Sequence, residues 1–276
     1  MESAAEHGTP QGRQPSAYER LTRSELEALA DAAREVRACQ RVLAKTGDTL
    51  VGELLRGHGT VYEWRHYPPG DVYDAEYHAQ YYYHCHPEGE RPSDEHGHFH
   101  TFLRAFGMPA GVEPLPLPDF RRPAAENDML SHLIGIAMDH MGRPIRLFTV
   151  NRWVTGEVWF PAADVVRMLD CFVIDHARPS WPVNRWITAL MRLFRADIAA
   201  LLHERDAALA AWAESHPGTY AYEDRGLEIL SQRTIDVDGT VARVEAALHG
   251  SRPRRSFLPE APLAEAPLAG ATVSDL

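Results

Sequence analysis

The sequence predicts an α+β fold: an antiparallel sheet of about four to six strands, built around a histidine-rich hairpin and flanked by N-terminal and C-terminal helices. Three observations carry that expectation. Apolar residues recur at helical spacing only toward the two ends of the chain. The middle alternates and is punctuated by turn formers. Six of the fifteen histidines fall between residues 78 and 100, five of them at every second position of two short segments.

Residues 1–16 are rich in Gly, Pro, Gln and Ser and read as a disordered tail. From Thr22 a capping box, Thr22 to Glu25, precedes Leu26, Leu29, Ala33 and Val36, which predicts a helix to about Lys45. Gly47 and Asp48 break it, and a short second helix is expected from Thr49 to Arg56. Strand signals then run from Thr60 through Val61, Tyr62, Trp64 and Tyr67 until Pro68-Pro69-Gly70 interrupts them.

The histidine hairpin comes next. Its arms are residues 76–86 and 96–106, joined by the turn-forming stretch from Pro87 to Glu95. A period of two places His84 and His86 on one face of the first arm, and His96, His98 and His100 on one face of the second. Pairing His86 with His96 sets His84 opposite His98 and Tyr82 opposite His100. Cβ atoms of opposed residues lie about 4.5–5.5 Å apart, a spacing that lets imidazoles converge on one ion. A proline-rich connection from Pro109 to Pro123 leads to a second hairpin, Ser131 to Asp139 and Ile145 to Val150, around Met141-Gly142-Arg143-Pro144. Strict alternation puts His132 and His140 with Ile134, Ile136 and Met138, and Asp139 with Ala137 on the other face.

Helical spacing resumes at Pro161, with Val165, Val166, Met168, Leu169, Phe172 and Val173 on one face, until Pro179 and Pro182. A long helix is expected from about Val183 to Glu214, its stripe formed by Ile187, Leu190, Met191, Phe194, Ile198, Leu201 and Leu202. Residues 227–235 fit either strand or helix, and Asp236 or Asp238 caps a last helix reaching Leu248. One domain is thus expected over 17–250, helical in 17–57, mainly strand in 60–160 and mainly helical in 161–250. Residues 251–276, with Glu-Ala-Pro-Leu-Ala twice over, read as a low-complexity disordered tail.

Composition narrows the function. A formal charge of −11, from 28 basic and 39 acidic residues, repels phosphate backbones and anionic membranes. No nucleic-acid or membrane partner is expected. Three dispersed cysteines without a CxxC fit a reducing compartment, and the polar N-terminus lacks the regions of a signal peptide, so a cytoplasmic location is expected. Lys45 is the only lysine beside many arginines, a bias read as that of a GC-rich bacterial genome.

The candidate metal ligands are His84, His86, His96, His98 and His100. Neutral imidazole binds zinc, copper, iron and nickel, so the expected cofactor is one of these transition metals. Glu90 is a further ligand or a solvated loop charge, Tyr82 shares the histidine face, and Cys85 alternates away from it as a buried thiol. Asp139, His140 and Glu157 are candidates for a distant ligand or for an acceptor orienting an imidazole. Asn151-Arg152-Trp153 suits recognition of a carboxylate or aromatic ligand and equally fits an ordinary strand end.

Two resemblances accompany these residues. His84, His86, Glu90 and Gly97 follow H-x-H-x3-E-x6-G, which is similar to the first metal-binding motif of cupins, although His78 replaces the glycine expected before the first histidine and the second motif has no convincing counterpart. That resemblance implies a jelly-roll barrel with a mononuclear metal. The histidine hairpin followed by the run from Leu147 to Glu157 resembles a family of bacterial proteins classed as a domain of unknown function. Three functions remain open: a metal-dependent enzyme, oxygenase-like or oxidase-like, acting on a small organic molecule; a non-catalytic metal-binding protein; and a metal-free accessory protein.

Overall fold

A computed structural model describes residues 17–251. The expectations for 1–16 and for the tail beyond Ser251 lie outside the described residues. Six strands form one antiparallel sheet in chain order: β1 (Tyr67–Tyr73), β2 (Ala79–His84), β3 (Gly97–Arg104), β4 (Leu130–Met138), β5 (Pro144–Val150) and β6 (Ile229–Thr234). Helices α1 (Arg23–Ala44) and α2 (Leu50–Leu55) precede it. Helices α3 (Arg152–Thr155), α4 (Ala162–Met168), α5 (Trp181–Leu193) and α6 (Arg195–Ser215) lie between β5 and β6, and α7 (Val237–Gly250) ends the described chain. This is the mixed α+β fold with helices at both ends that the spacing predicts.

Local chemistry sets several boundaries as expected. The Thr22 capping box opens α1 in both directions, Thr22 accepting from the Glu25 amide and Glu25 from the Thr22 amide. Asp236 caps α7 by accepting from the Gly239 amide. Residues 227–235, open between two readings, contain β6.

Period two separates the sheet into two faces. Tyr81, Tyr83, Phe99, Leu103, Ile134, Ile136 and Leu147 face the helices and join Trp186, Ile187 and Leu190 in the main core. The Phe99 and Trp186 rings lie 5.6 Å apart, and the Tyr81 hydroxyl donates to Asn184 Oδ1 at 2.6 Å. The other face carries the histidines.

Three expectations are corrected. Residues 60–66 form no strand; β1 instead begins at Tyr67 and runs through both prolines. Proline is tolerated there because β1 is an edge strand, and its pairing with β2 is irregular between Tyr67 and Val72. The single long helix is two, broken at Phe194, whose φ of −101° and ψ of 17° leave the helical region. The break lets the apolar stripe change partners: α5 packs on α1, whereas α6 packs on α4 and β6. The third correction concerns His132. Thr101 pairs with Ile134 but Phe102 pairs with His132, so one extra residue, Leu133, is accommodated in β4. Such a bulge reverses the facing of everything beyond it. His132 therefore leaves the face of Ile134 and Ile136 and joins the histidines of β3.

Candidate metal centre

The hairpin register is His84 opposite His98 and Tyr82 opposite His100, as the symmetric reading predicts. Pairing stops there. His86 lies beyond β2, and His96 precedes β3 and is not opposed to it, because the loop turns before Gly97. His96 swings to the opposite side, where its Nδ1 meets the Tyr83 hydroxyl at 2.7 Å and its ring approaches His140. Of the five predicted ligands, the structure gathers three: His84, His86 and His98 each offer one ligand atom, all within 4.8 Å of one another. His100 stays on the face, its ring 4.8 Å from His98, but its Nδ1 is paired with His132 Nε2 at 3.0 Å.

Each of the three imidazoles is held differently. His98 Nδ1 lies 2.6 Å from Glu95 Oε1, and Glu95 is paired on its other oxygen with Arg146. A carboxylate at Nδ1 fixes the proton there and leaves Nε2 as the lone-pair donor. His98 Nε2 is 2.6 Å from His84 Nε2, so His84 carries the shared proton in this contact. His86 contacts the exposed Glu90 through Nδ1 at 3.3 Å; its side chain is only 3% exposed and its Nε2 is buried without any hydrogen-bond partner. A buried, unpaired ring nitrogen is costly unless something occupies it.

All three imidazoles are held neutral. Burial, then His86, His66 and Arg91, drive His84 down to about 3. Burial is also the first cause of the lowered values of His86 and of His98, which lies well below the usual range. Neutral imidazole is the metal-binding form, so protons compete little for this site near neutrality. His84, His86 and His98 would hold such an ion, which would take the place of the His84–His98 hydrogen bond. The donor set and the orphaned nitrogen fit a transition metal.

Gly97 makes the close approach of the hairpin arms possible. A Cβ at this position would lie 2.4 Å from the His84 carbonyl oxygen and 2.6 Å from the Tyr83 hydroxyl. Gly97→Ala is expected to cost about 1–3 kcal/mol, as overpacking does, and to weaken metal binding by prising His84 from His98. Urea denaturation and a metal-competition titration read the two effects; unchanged values in both contradict this account.

Several neighbours had no local signal. Residues 60–66 cross the histidine face: His66 stacks on Tyr82 with ring centroids 3.6 Å apart, and the Trp64 ring sits 4.1 Å from that of His86. Trp64 holds a left-handed φ of 65° and donates its amide to the Cys85 carbonyl. Glu95 and Arg146 come from the loop and from β5. The pattern Glu-His-Gly-His, with a carboxylate three residues before His98, is the one clue the sequence held. Cys85 is half-buried rather than buried. Asp139 serves the β4–β5 turn by accepting from Arg143, and His140 reaches Ser93. Glu157 accepts from the His132 amide at 2.7 Å, and burial lifts its carboxyl to about 7. Arg152 is engaged by Asp119 and Glu223, and Asn151 bonds the backbone of Ala221 and Leu227.

Fold and site together define a class: an α+β protein whose single antiparallel sheet shows one face to its helices and, on the other, a buried histidine cluster able to hold a metal. The chain belongs to the family DUF6969, a domain of unknown function, which matches residues 30–235. Comparison with curated proteins and with solved structures finds no match. The cupin resemblance is not shown, and strands in chain order within one sheet are not a jelly roll. Among the described residues no helix is long and apolar enough to cross a membrane.

Proposed function

We propose that the protein binds one transition-metal ion through His84, His86 and His98 and is a mononuclear metal-dependent enzyme acting on a small organic molecule. The observation that carries this reading is the convergence of three neutral, buried imidazoles in which His86 Nε2 has no other partner. Among the described residues the group has three members, which supports an open coordination sphere over the closed one of a storage or structural site. A metal held this way polarises a bound group or activates water, as three-ligand sites do. The chain's own contribution is to orient His98 through Glu95, keep the imidazoles unprotonated and shield them beneath residues 60–66.

Elemental analysis of untagged protein tests the reading. About one equivalent of iron, copper, zinc or nickel per chain is expected, and almost none in the His84→Ala, His98→Ala double variant. Equal, negligible metal in both after incubation with each ion overturns it, provided circular dichroism shows both chains folded.

A further inference from the structure

The face that carries the histidines also holds a cavity of about 190 Å³ reaching His98. We infer that this cavity takes the carboxylate of a small organic acid, held between Arg91, Arg146 and the metal centre. The inference rests on the metal reading and names the substrate class for it.

Charge balance is the first argument. Arg91, Arg146 and one carboxylate, Glu95, line the cavity, Arg91 being paired with Glu228 and Arg146 with Glu95. These two cations and two carboxylates cancel. The one further carboxylate touching a ligand is the exposed Glu90 on His86, so a divalent ion would leave net positive charge in a largely desolvated site. An anionic ligand offsets it; a neutral one does not.

Donor geometry is the second argument. Arg91 Nε is buried and makes no hydrogen bond, although the same guanidinium is anchored to Glu228. A guanidinium held through one nitrogen, with a buried Nε–H left over, has one donor to give to a carboxylate oxygen.

Size and lining supply the third argument. Phe148, Ile229 and Pro92 give the cavity apolar walls, and Gln232 adds an amide. Its volume is below the roughly 300–1,000 Å³ of sites for drug-sized ligands, so the acid has few carbons. The larger cavity beside His86, about 610 Å³, is lined by Glu63, Glu88 and Glu95 against Arg91 alone, a balance that disfavours anions.

The test uses the full chain loaded with Co²⁺, whose visible absorption reports on the ligands around it. Titration with propionate is expected to change the spectrum saturably, and its neutral counterpart propionamide to leave it unchanged. Arg91→Gln should keep its cobalt but bind propionate at least about tenfold more weakly, the scale of a lost charge-assisted hydrogen bond. If that variant fails to load cobalt, Arg91→Lys, which keeps the charge but lacks the Nε donor, is read by the same criterion. A wild-type spectrum indifferent to propionate with cobalt bound, an equal response to propionamide, or an unchanged affinity in the Arg91 variant overturns the inference alone. Failure of the wild type to bind cobalt, measured in the same samples, instead overturns the metal reading and the inference with it.

Discussion

Lowering the pH of the metal-free protein from 7 to 5 is expected to destabilise it strongly. Four imidazoles on the histidine face, His84, His98, His100 and His132, are buried. Burial drives His84 and His132 down to about 3, and sets His98 and His100 well below the usual range with further lowering by neighbouring imidazoles. In the unfolded chain each titrates near 6.5. Between those limits the unfolded state binds more protons, so stability present above about pH 6.5 is lost as the pH falls. At pH 5 His84 and His132 have each given up about 2 kcal/mol, and His98 and His100 lose stability in the same direction. Glu157 opposes one of them: its carboxyl is raised to about 7 by burial, so acidification relieves it by a similar amount. Glu95, whose carboxyl is also raised by burial, works in the same sense as Glu157, but four buried imidazoles against two carboxylates still leave a net loss of stability as the pH falls. Circular dichroism against pH reads the transition. A bound metal should move it to lower pH, because protonation must then also release the ion. A native signal persisting at pH 4 in metal-free protein would show that the imidazoles are hydrated or paired in a way that removes this penalty.

The histidine face was partly legible because two of its determinants are local. The period of two and the loop from Pro87 to Glu95 together fix which side chains share a side and that His84 meets His98 and Tyr82 meets His100. The helical ends were legible for a similar reason: caps such as Thr22 and Asp236 and the apolar stripes act within a few residues. What escaped depends on single-residue register or on distant chain. His132 joins the cluster only because β4 absorbs Leu133 as a bulge, and nothing in Ser-His-Leu-Ile announces it. His96 obeys alternation only if β3 begins one residue earlier than Gly97. Trp64 and His66 look like strand residues and act as a strap over the face, a role set by where β1 begins. Arg146 reaches Glu95 across 51 positions of sequence. Such contacts are products of the assembled sheet and have no signature within either segment.

Glu95→Ala is expected to be the most damaging single change at the site, costing about 3–5 kcal/mol in metal-free stability and about 10–100-fold in metal affinity. The Glu95 side chain is 1% exposed and bridges His98 Nδ1 and the Arg146 guanidinium. Burial outweighs the opposing pull of Arg146 and then Arg91 and holds its carboxyl above the usual range. Deleting it leaves Arg146, only 15% exposed, short of its counter-ion and leaves the His98 Nδ1–H without an acceptor. The first loss acts on stability and the second on the metal, since His98 is then no longer fixed with Nε2 as its free donor. The two effects separate in the double variant Glu95→Leu, Arg146→Leu. Removing both charges abolishes the orphaned guanidinium, so much of the lost stability should return in urea denaturation. Metal affinity should not return, because nothing then orients His98. Recovery of both together would mean that Glu95 acts on the metal only through the stability of the sheet and not by holding the ring.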